Sequence, residues 1–394
     1  MNAARPFDTL RPSPWRSLVT VVAATILAAN LTACEPLATS WDYGHREDVP
    51  VHRRSQIVMP ADGAPARLKV MAWNIKYGAG RIDFWFDLWG DRVQMTRAEV
   101  DANMSAIYRL INEADPDILL TEEIEINSRR SAYVNMVTGI LENTRLNYAA
   151  YVPTWRCRYI PSEGLGRMDL GNAIFSRYPI KSAQRIPQVD RTDQDFATRT
   201  FYIHRAVGRA VIAVGPRDVV AMVVHTEAYD QDGTKGRQLV QIHDLLAEEV
   251  DPFVIGGDFN ALPPTAVKVA QFPDENPKSL GTEFEQPPYD PQEMVPFFED
   301  YLPAITAARI GTTQDEQRNF FTHSVIGRDK VGTDGQPGFW NRTLDYLFVK
   351  SPDTWMPDST DVLQLPGRGS PLITSDPLTL SDHCPVAGTW ELRP

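Results

Sequence analysis

Cysteine is scarce, three in 394 residues, and that excludes a fold stapled by a disulfide framework. Positive charge is in deficit: 39 Lys and Arg stand against 51 Asp and Glu, a formal charge of -12. Broad basic faces supply most of the affinity of proteins that wrap duplex DNA, so this balance argues against one, while a local basic site stays compatible with it. No Gly-rich loop opens a helix, which leaves a nucleotide cofactor without support. No internal repeat occurs, and the longest weakly polar run, Leu18 to Ala29, is too short to cross a bilayer. What is present is a globular composition, 43% hydrophobic and 23% charged, enough to bury a large core in one large domain or two ordinary ones.

The N-terminus reads as an address. Arg5, Arg11 and Arg16 precede the Leu18–Ala29 run, which has the length of a signal-peptide core. It ends in Leu31-Thr32-Ala33-Cys34 and resembles the bacterial lipobox, in which the cysteine takes a diacylglycerol and becomes the first mature residue. The expectation is therefore a lipoprotein signal peptide over residues 1–33, lipidation at Cys34 and an N-terminal tether over 34–66, where no period is sustained. Anchoring to the bacterial cell envelope follows, facing the periplasm or exterior. Glu35 after the cysteine tilts the choice towards the outer membrane.

From residue 67 to 394 short β-rich runs alternate with helical patterns, and the expectation is one domain. Leu68–Asn74 reads as a strand. Val100, Met104, Ile107 and Ile111 then recur at helical spacing in a segment starting near Thr96. Asp115-Pro116 stops that helix, and 117–121 reads as a buried strand delivering Glu122 and Glu123. Further strands are expected at 173–176, 206–214, 219–225, 253–257 and 344–349, a second helix at 236–249, and long loops at 271–295 and 351–380. Strands outnumber helices and several are joined by short turns, which suggests two sheets packed face to face with helices outside. Pattern alone leaves a Rossmann-like arrangement open.

Three polar clusters sit at strand ends. Asn74 with Glu123 offers hard oxygen ligands of the kind Mg²⁺ takes. Gly256-Gly257-Asp258-Phe259-Asn260 ends an apolar strand and presents Asp258 and Asn260 on one face. Ser381-Asp382-His383 lies near the C-terminus. Singly each has an ordinary reading, an Asp-x-Asn being most often a turn or an Asx cap.

Together, in this order, they match a pattern. The chain resembles the endonuclease/exonuclease/phosphatase superfamily through MAWNIKYG (71–78), DILLTEEIE (117–125), GNAIFSRYPI (171–180), VVHTEAYD (223–230), GGDFNALPP (256–264), FFTHS (320–324), TLDYLF (343–348) and SDHCPV (381–386). The resemblance implies a four-layer α/β/β/α sandwich of two mixed β-sheets. It implies that Asn74 and Glu123 hold a metal, Mg²⁺ or Mn²⁺, with Asp382 beside it. Asp258 would orient or deprotonate the attacking water, and its neighbour Asn260 would touch the phosphate. His383 would face the phosphoryl oxygen in a tautomer fixed by Asp345, and His225 would be a second imidazole for the phosphate or leaving group. That inventory suits phosphoester hydrolysis, which must stabilise non-bridging oxygens, activate a water and neutralise a departing oxygen.

Departures are plain. The position two after Asn74, often acidic in abasic-site endonucleases, is Lys76; Glu122 stands where the family usually has Gln; and Val223-Val224 precedes His225 in place of Asn-Thr. Arg156 to Arg199 carries a basic excess that reads equally as a phosphate-attracting rim or a solvated loop. FWFDLWG, residues 84–90, is expected to cover the core rather than touch lipid or an aromatic ligand. Cys157 and Cys384 are expected as free thiols, His323 as a structural hydrogen bonder, and Arg237 with Gln241 as braces.

The expected protein is a monomeric, lipid-anchored, Mg²⁺-dependent phosphodiesterase of the envelope. Its expected substrate is a phospholipid head group, a small phosphodiester or a nucleotide rather than duplex DNA. The alternatives are a secreted nonspecific endonuclease and a lipoprotein that keeps the fold as a non-catalytic binding module.

Overall fold

The computed structural model describes residues 44–160, 164–229, 231–282, 284–286 and 288–393. The signal-like run, Cys34 and the tether as far as residue 43 lie outside the described residues.

Two sheets carry the fold. One orders β1 (Glu47–Asp48), β7 (Ile180–Pro187), β8 (Ala206–Val214), β9 (Arg217–His225), β10 (Phe253–Asp258), β12 (Asp345–Val349) and β11 (Leu302–Pro303). The other orders β13 (Thr354–Trp355), β15 (Val386–Glu391), β3 (Arg67–Asn74), β4 (Ile118–Glu125), β6 (Gly166–Ser176), β5 (Tyr148–Ile160) and β2 (Val51–Arg53), with β14 (Asp361–Val362) also on β15. Each sheet has one parallel pair at its centre, β3 with β4 and β9 with β10. A parallel pair needs a crossover connection. The helices Arg97–Ala114 and Thr234–Glu248 supply the two crossovers and cover opposite outer faces.

Alternation along the strands explains the layering. Val70, Ala72 and Leu120 pack between the sheets against Ala221, Val223 and Val254. Met71, Trp73 and Leu119 point outward onto Val100, Met104 and Ile107 of the first helix. On the opposite side Val220, Met222 and Ile255 meet Leu239, Ile242 and Leu246. Strands covered on both faces read as unbroken apolar runs, which is why their period-2 signal is weak in the sequence. The first helix begins at a capping box, in which Thr96 and Glu99 each satisfy the other's backbone N–H, worth about 1 kcal/mol. It ends on Asp115, left-handed at φ 52°.

The α/β/β/α sandwich is the expected one, and several details differ from the sequence reading. Within the expected tether, β1 pairs with β7 and β2 with β5, so residues 47–53 extend one edge of each sheet. An open edge offers unpaired backbone groups that any extended segment can satisfy, whatever its side-chain period. Strands β5, β7 and β15 were not expected. Pro153 within β5 obscures that strand; it sits beside a register shift against β6, where its missing N–H is tolerated. Cys157 and Cys384 are buried and, as expected, are not joined in a disulfide. Among the described residues no helix is long and apolar enough to cross a membrane.

Candidate active site

Both parallel pairs point their C-terminal ends the same way, and the expected site residues gather there. Asn74 ends β3, Glu123 lies near the end of β4, His225 ends β9 and Asp258 ends β10. Asp345 opens β12 directly opposite Asp258, and His383 precedes β15, which runs antiparallel to β3. Residues from both sheets thus converge where the sandwich opens.

Gly257 makes the closest approach possible. At φ 133° it occupies a conformation side chains avoid, and a Cβ there would lie 2.2 Å from the Val224 carbonyl oxygen and 2.6 Å from Glu122 Oε1. The next residue, Asp258, accepts a 2.9 Å hydrogen bond from Asn260 N through Oδ1. Its other oxygen, Oδ2, faces three nitrogens at 3.5 Å: Asn74 Nδ2, His225 Nε2 and His383 Nε2. Asn260 turns its amide to donate to the Thr226 carbonyl at 3.0 Å, which occupies one of its two N–H groups.

His383 is held on every side. Its Nδ1 lies 2.8 Å from Asp345 Oδ2, its carbonyl accepts from Trp73 Nε1 at 2.9 Å, and its own N–H reaches Ser381 Oγ, which donates to the Asn74 carbonyl at 2.8 Å. Burial by itself would lower the imidazole pKa, but Asp345 and Asp258 outweigh it and raise it to about 10. Burial lifts the Asp258 carboxyl to about 7 in spite of the His383 charge. His225 goes the other way: burial first, then the charges of Arg205 and His383, push it well below the usual range. It therefore serves as the second imidazole expected there in the neutral form, as a hydrogen-bond donor.

A bulge settles the Glu122-Glu123 register. The pairing of β4 with β6 shifts between Thr121 and Ile124, and Glu123 takes φ 55°, a strained conformation of the kind that clusters at functional sites. Glu122 turns under Gly257 with both carboxylate oxygens buried and without a hydrogen-bond partner. Burial, then the neighbouring Asp345, Asp258 and Glu123, raise its pKa well above the usual carboxylate range, which favours the protonated form. A neutral Glu122 approximates the Gln that the resemblance leads one to expect. Glu123 instead faces Asn74, whose Nδ2 lies 3.3 Å from its Oε1.

Asn74, Glu123 and Asp382 carry the oxygens a hard divalent cation takes, with the Asn74 amide turning Nδ2 to Glu123 and Oδ1 to the Lys76 N–H, so that its oxygen would have to rotate to join Glu123 on an ion. Burial and then the charge of Asp382 raise the Glu123 pKa, a repulsion that a cation relieves. A second trio, Asp258, Asp345 and His383, has ligand-type atoms within 4.8 Å of one another. Both carboxylates there already face the ring nitrogens of a cationic His383, so a metal would have to displace its proton. The Asn74–Glu123 side is the better cradle. Asp382 itself is not free: Lys76 Nζ lies 3.2 Å away and also bonds Asp87 at 2.7 Å.

Other expectations resolve. His323 reaches the site after all, its ring centroid 4.4 Å from that of His383. Its presence in FFTHS was the available signal. Three members of the basic excess are engaged elsewhere than on a rim. Arg177 pairs with Asp117 at the opposite end of β4, Arg185 is buried on the Pro153 carbonyl, and Arg191 pairs with Asp193. Arg237 and Gln241 brace, on Asp232 and the Val189 N–H. Lys76 was marked in the sequence as a departure two residues after Asn74, whereas Asp87 and Arg205 were missed as parts of the site because nothing in their spacing marks them.

A family model described as the endonuclease/exonuclease/phosphatase family matches residues 71–383. No curated protein matches the sequence significantly. Among solved structures, an endonuclease/exonuclease/phosphatase from Beutenbergia cavernae is similar at 18% identity and TM-score 0.48, over 83% of this chain and 72% of that one. One from Bacteroides vulgatus aligns at 13% identity and TM-score 0.49, over 83% and 99%. A mannosyl-6-phosphatase from Bacteroides thetaiotaomicron aligns at 12% identity and TM-score 0.45, over 82% and 99%.

Proposed function

The chain belongs to the endonuclease/exonuclease/phosphatase family of phosphoester hydrolases, and from that premise we propose that it is a Mg²⁺-dependent phosphodiesterase anchored to a bacterial envelope through Cys34. The observation that carries the catalytic part is the placement of Asp258 Oδ2 at 3.5 Å from both His225 Nε2 and His383 Nε2, with Asp345 behind His383 at 2.8 Å.

The residues divide the work as follows. Asp258, ionised near and above pH 7, accepts a proton from the attacking water. His383, kept cationic by Asp345, presents an Nε2–H to a phosphoryl oxygen, and neutral His225 presents a second donor. Asn260 has one amide N–H left for the phosphate. Glu123 and Asn74 would hold Mg²⁺ or Mn²⁺, which supplies Lewis-acid charge at a non-bridging oxygen when bound.

A compact substrate, such as a phospholipid head group, a small phosphodiester or a nucleotide, is favoured over duplex DNA. The loops leaving β3, β9 and β10 are tied to one another: Trp89 Nε1 donates to the Asp274 carbonyl at 2.9 Å, Asn276 Nδ2 to the Leu88 carbonyl at 2.7 Å, and Gln286 Nε2 to the Ala228 carbonyl at 3.0 Å. Trp85, Phe284 and Tyr229 meet edge to face, at 5.5 and 6.0 Å. Such a bridge between loops of both sheets leaves little room for a polymer lying along the groove.

The purified protein should hydrolyse bis-p-nitrophenyl phosphate with added Mg²⁺ and lose that activity with a chelator and in Asp258→Ala or His383→Ala. Equal inertness of all three proteins towards phosphodiesters, lipids and DNA would favour a binding module instead. For the anchor, radiolabelled palmitate should enter the wild type and not Cys34→Ser.

A further inference from the structure

The strongest unassigned feature is a buried cation beside the proposed metal cradle. Immediately after Asn74 the chain turns through three consecutive left-handed residues, Lys76 at φ 43°, Tyr77 at φ 41° and Gly78 at φ 67°. Two of these carry side chains, so the turn is strained and must be held from outside. It is held: Asn74 Oδ1 accepts from Lys76 N at 3.0 Å, and the Arg130 guanidinium lies 3.5 Å above the Tyr77 ring while bonding buried Glu125 at 2.7 Å.

The turn folds the Lys76 side chain back into the protein. Its ammonium, with a side chain 3% exposed, lies between Asp87 at 2.7 Å and Asp382 at 3.2 Å, whose side chains are 8% and 13% exposed. Asp87 is the one acid of FWFDLWG, a motif that the catalytic reading leaves without a role. That loop is fixed in turn through Trp89 to the Asp274 carbonyl. A buried ammonium held by two carboxylates is a fixed positive charge, costly to leave unpaired and costly to remove.

Resting on the hydrolase reading above, we infer that Lys76 is a built-in counter-cation for Asp382, clamped by Asp87, and that the chain consequently takes up one divalent ion, at Glu123 and Asn74, rather than a pair. A second ion against Asp382 would sit close to an ammonium only 3.2 Å from that carboxylate and would meet its repulsion at short range. Lys76 is thus a positioning residue. It neutralises and orients Asp382 next to the catalytic His383 without touching the substrate.

The test counts ions. Metal-stripped protein is titrated with Mn²⁺ by calorimetry, and free Mn²⁺ is counted in parallel by electron paramagnetic resonance. One ion per chain is expected. Two ions would overturn the role given to Lys76 while leaving the hydrolase reading intact, and no ion at all would remove the cradle and this inference together. Lys76→Met, which frees both carboxylates, should gain a second, weaker ion. Retention of a single ion by that variant would overturn the inference. Where Lys76→Met fails to fold by circular dichroism, Lys76→Met/Asp87→Asn, with one buried carboxylate fewer, carries the same pair of outcomes.

Discussion

His383 and Asp345 are brought together across the gap between the two sheets, Nδ1 to Oδ2 at 2.8 Å, in a site where both side chains are almost fully buried. This contact fixes the tautomer, leaves Nε2–H for the phosphate, and sets the charge of the ring. Asp345→Asn should keep the fold and lose roughly 10²- to 10⁴-fold in kcat, the range associated with a misoriented general acid or base. The basic limb of its pH profile should also move down, because the foremost of the three carboxylates that raise His383 is gone. A loss of kcat with an unmoved basic limb would contradict this role.

The pH dependence should be a bell. Asp258 works ionised, and burial lifts it to about 7, so kcat/KM should rise with pH through that value. His383 works protonated, at about 10, so the rate should fall again as pH passes that point. A flat profile between pH 6 and 8 would show that the Asp258 carboxyl is not the group being titrated.

Glu122 should couple stability to pH. Its pKa is raised in the fold by burial and by its acidic neighbours, so the unfolded chain gives up this proton first. The stability that the group contributes is present in full below its ordinary pKa and is lost as pH rises from there. Each pKa unit of the difference is about 1.4 kcal/mol. Glu122→Gln is neutral at every pH. Its melting temperature should match the wild type near pH 4 and exceed it increasingly towards pH 8, as thermal unfolding over that range would report. Activity should survive, since Gln reproduces the protonated acid.

Loosening the loop bridge should widen the substrate range. Asn276→Ala removes the bond to the Leu88 carbonyl, and Phe284→Ala removes the ring between Trp85 and Tyr229. The double variant should raise nicking of closed circular plasmid relative to bis-p-nitrophenyl phosphate by roughly tenfold, equivalent to about 1.4 kcal/mol. An unchanged ratio would mean that the bridge does not select substrate size.

Gly257→Ala should fail to accumulate as folded protein. The added methyl would lie 2.2 Å from a backbone oxygen, at a φ that alanine avoids, and strain of this kind costs several kcal/mol. Soluble yield and circular dichroism would register it.

Much of the framework was legible because it rests on local rules. Thr96 and Glu99 announce a helix start, Asp115-Pro116 its end, and apolar runs before Asn74, Glu122 and Asp258 mark buried strands whose last residues are polar. Polar residues that end apolar strands are also what made Asn74 and Asp258 visible, while the Ser381-Asp382-His383 run, which precedes β15, was visible through the order of the motifs. The edge strands at 47–53 and the strands β5, β7 and β15 were not visible, since their pairing depends on which edge lies open beside them.

The sequence by itself determined the class of the fold and the residues able to do phosphoester chemistry, because strand ends, caps and motif order are properties of the chain read in line. Tertiary structure decided the charge state and partner of each. His225 is neutral because it is buried beside Arg205, His383 is cationic because two carboxylates flank it, and Asp382 is engaged because a strained turn folds Lys76 back against it. Electrostatic energies depend on distances of a few ångströms and on the exclusion of water, and for residues hundreds of positions apart only the packed sandwich fixes both.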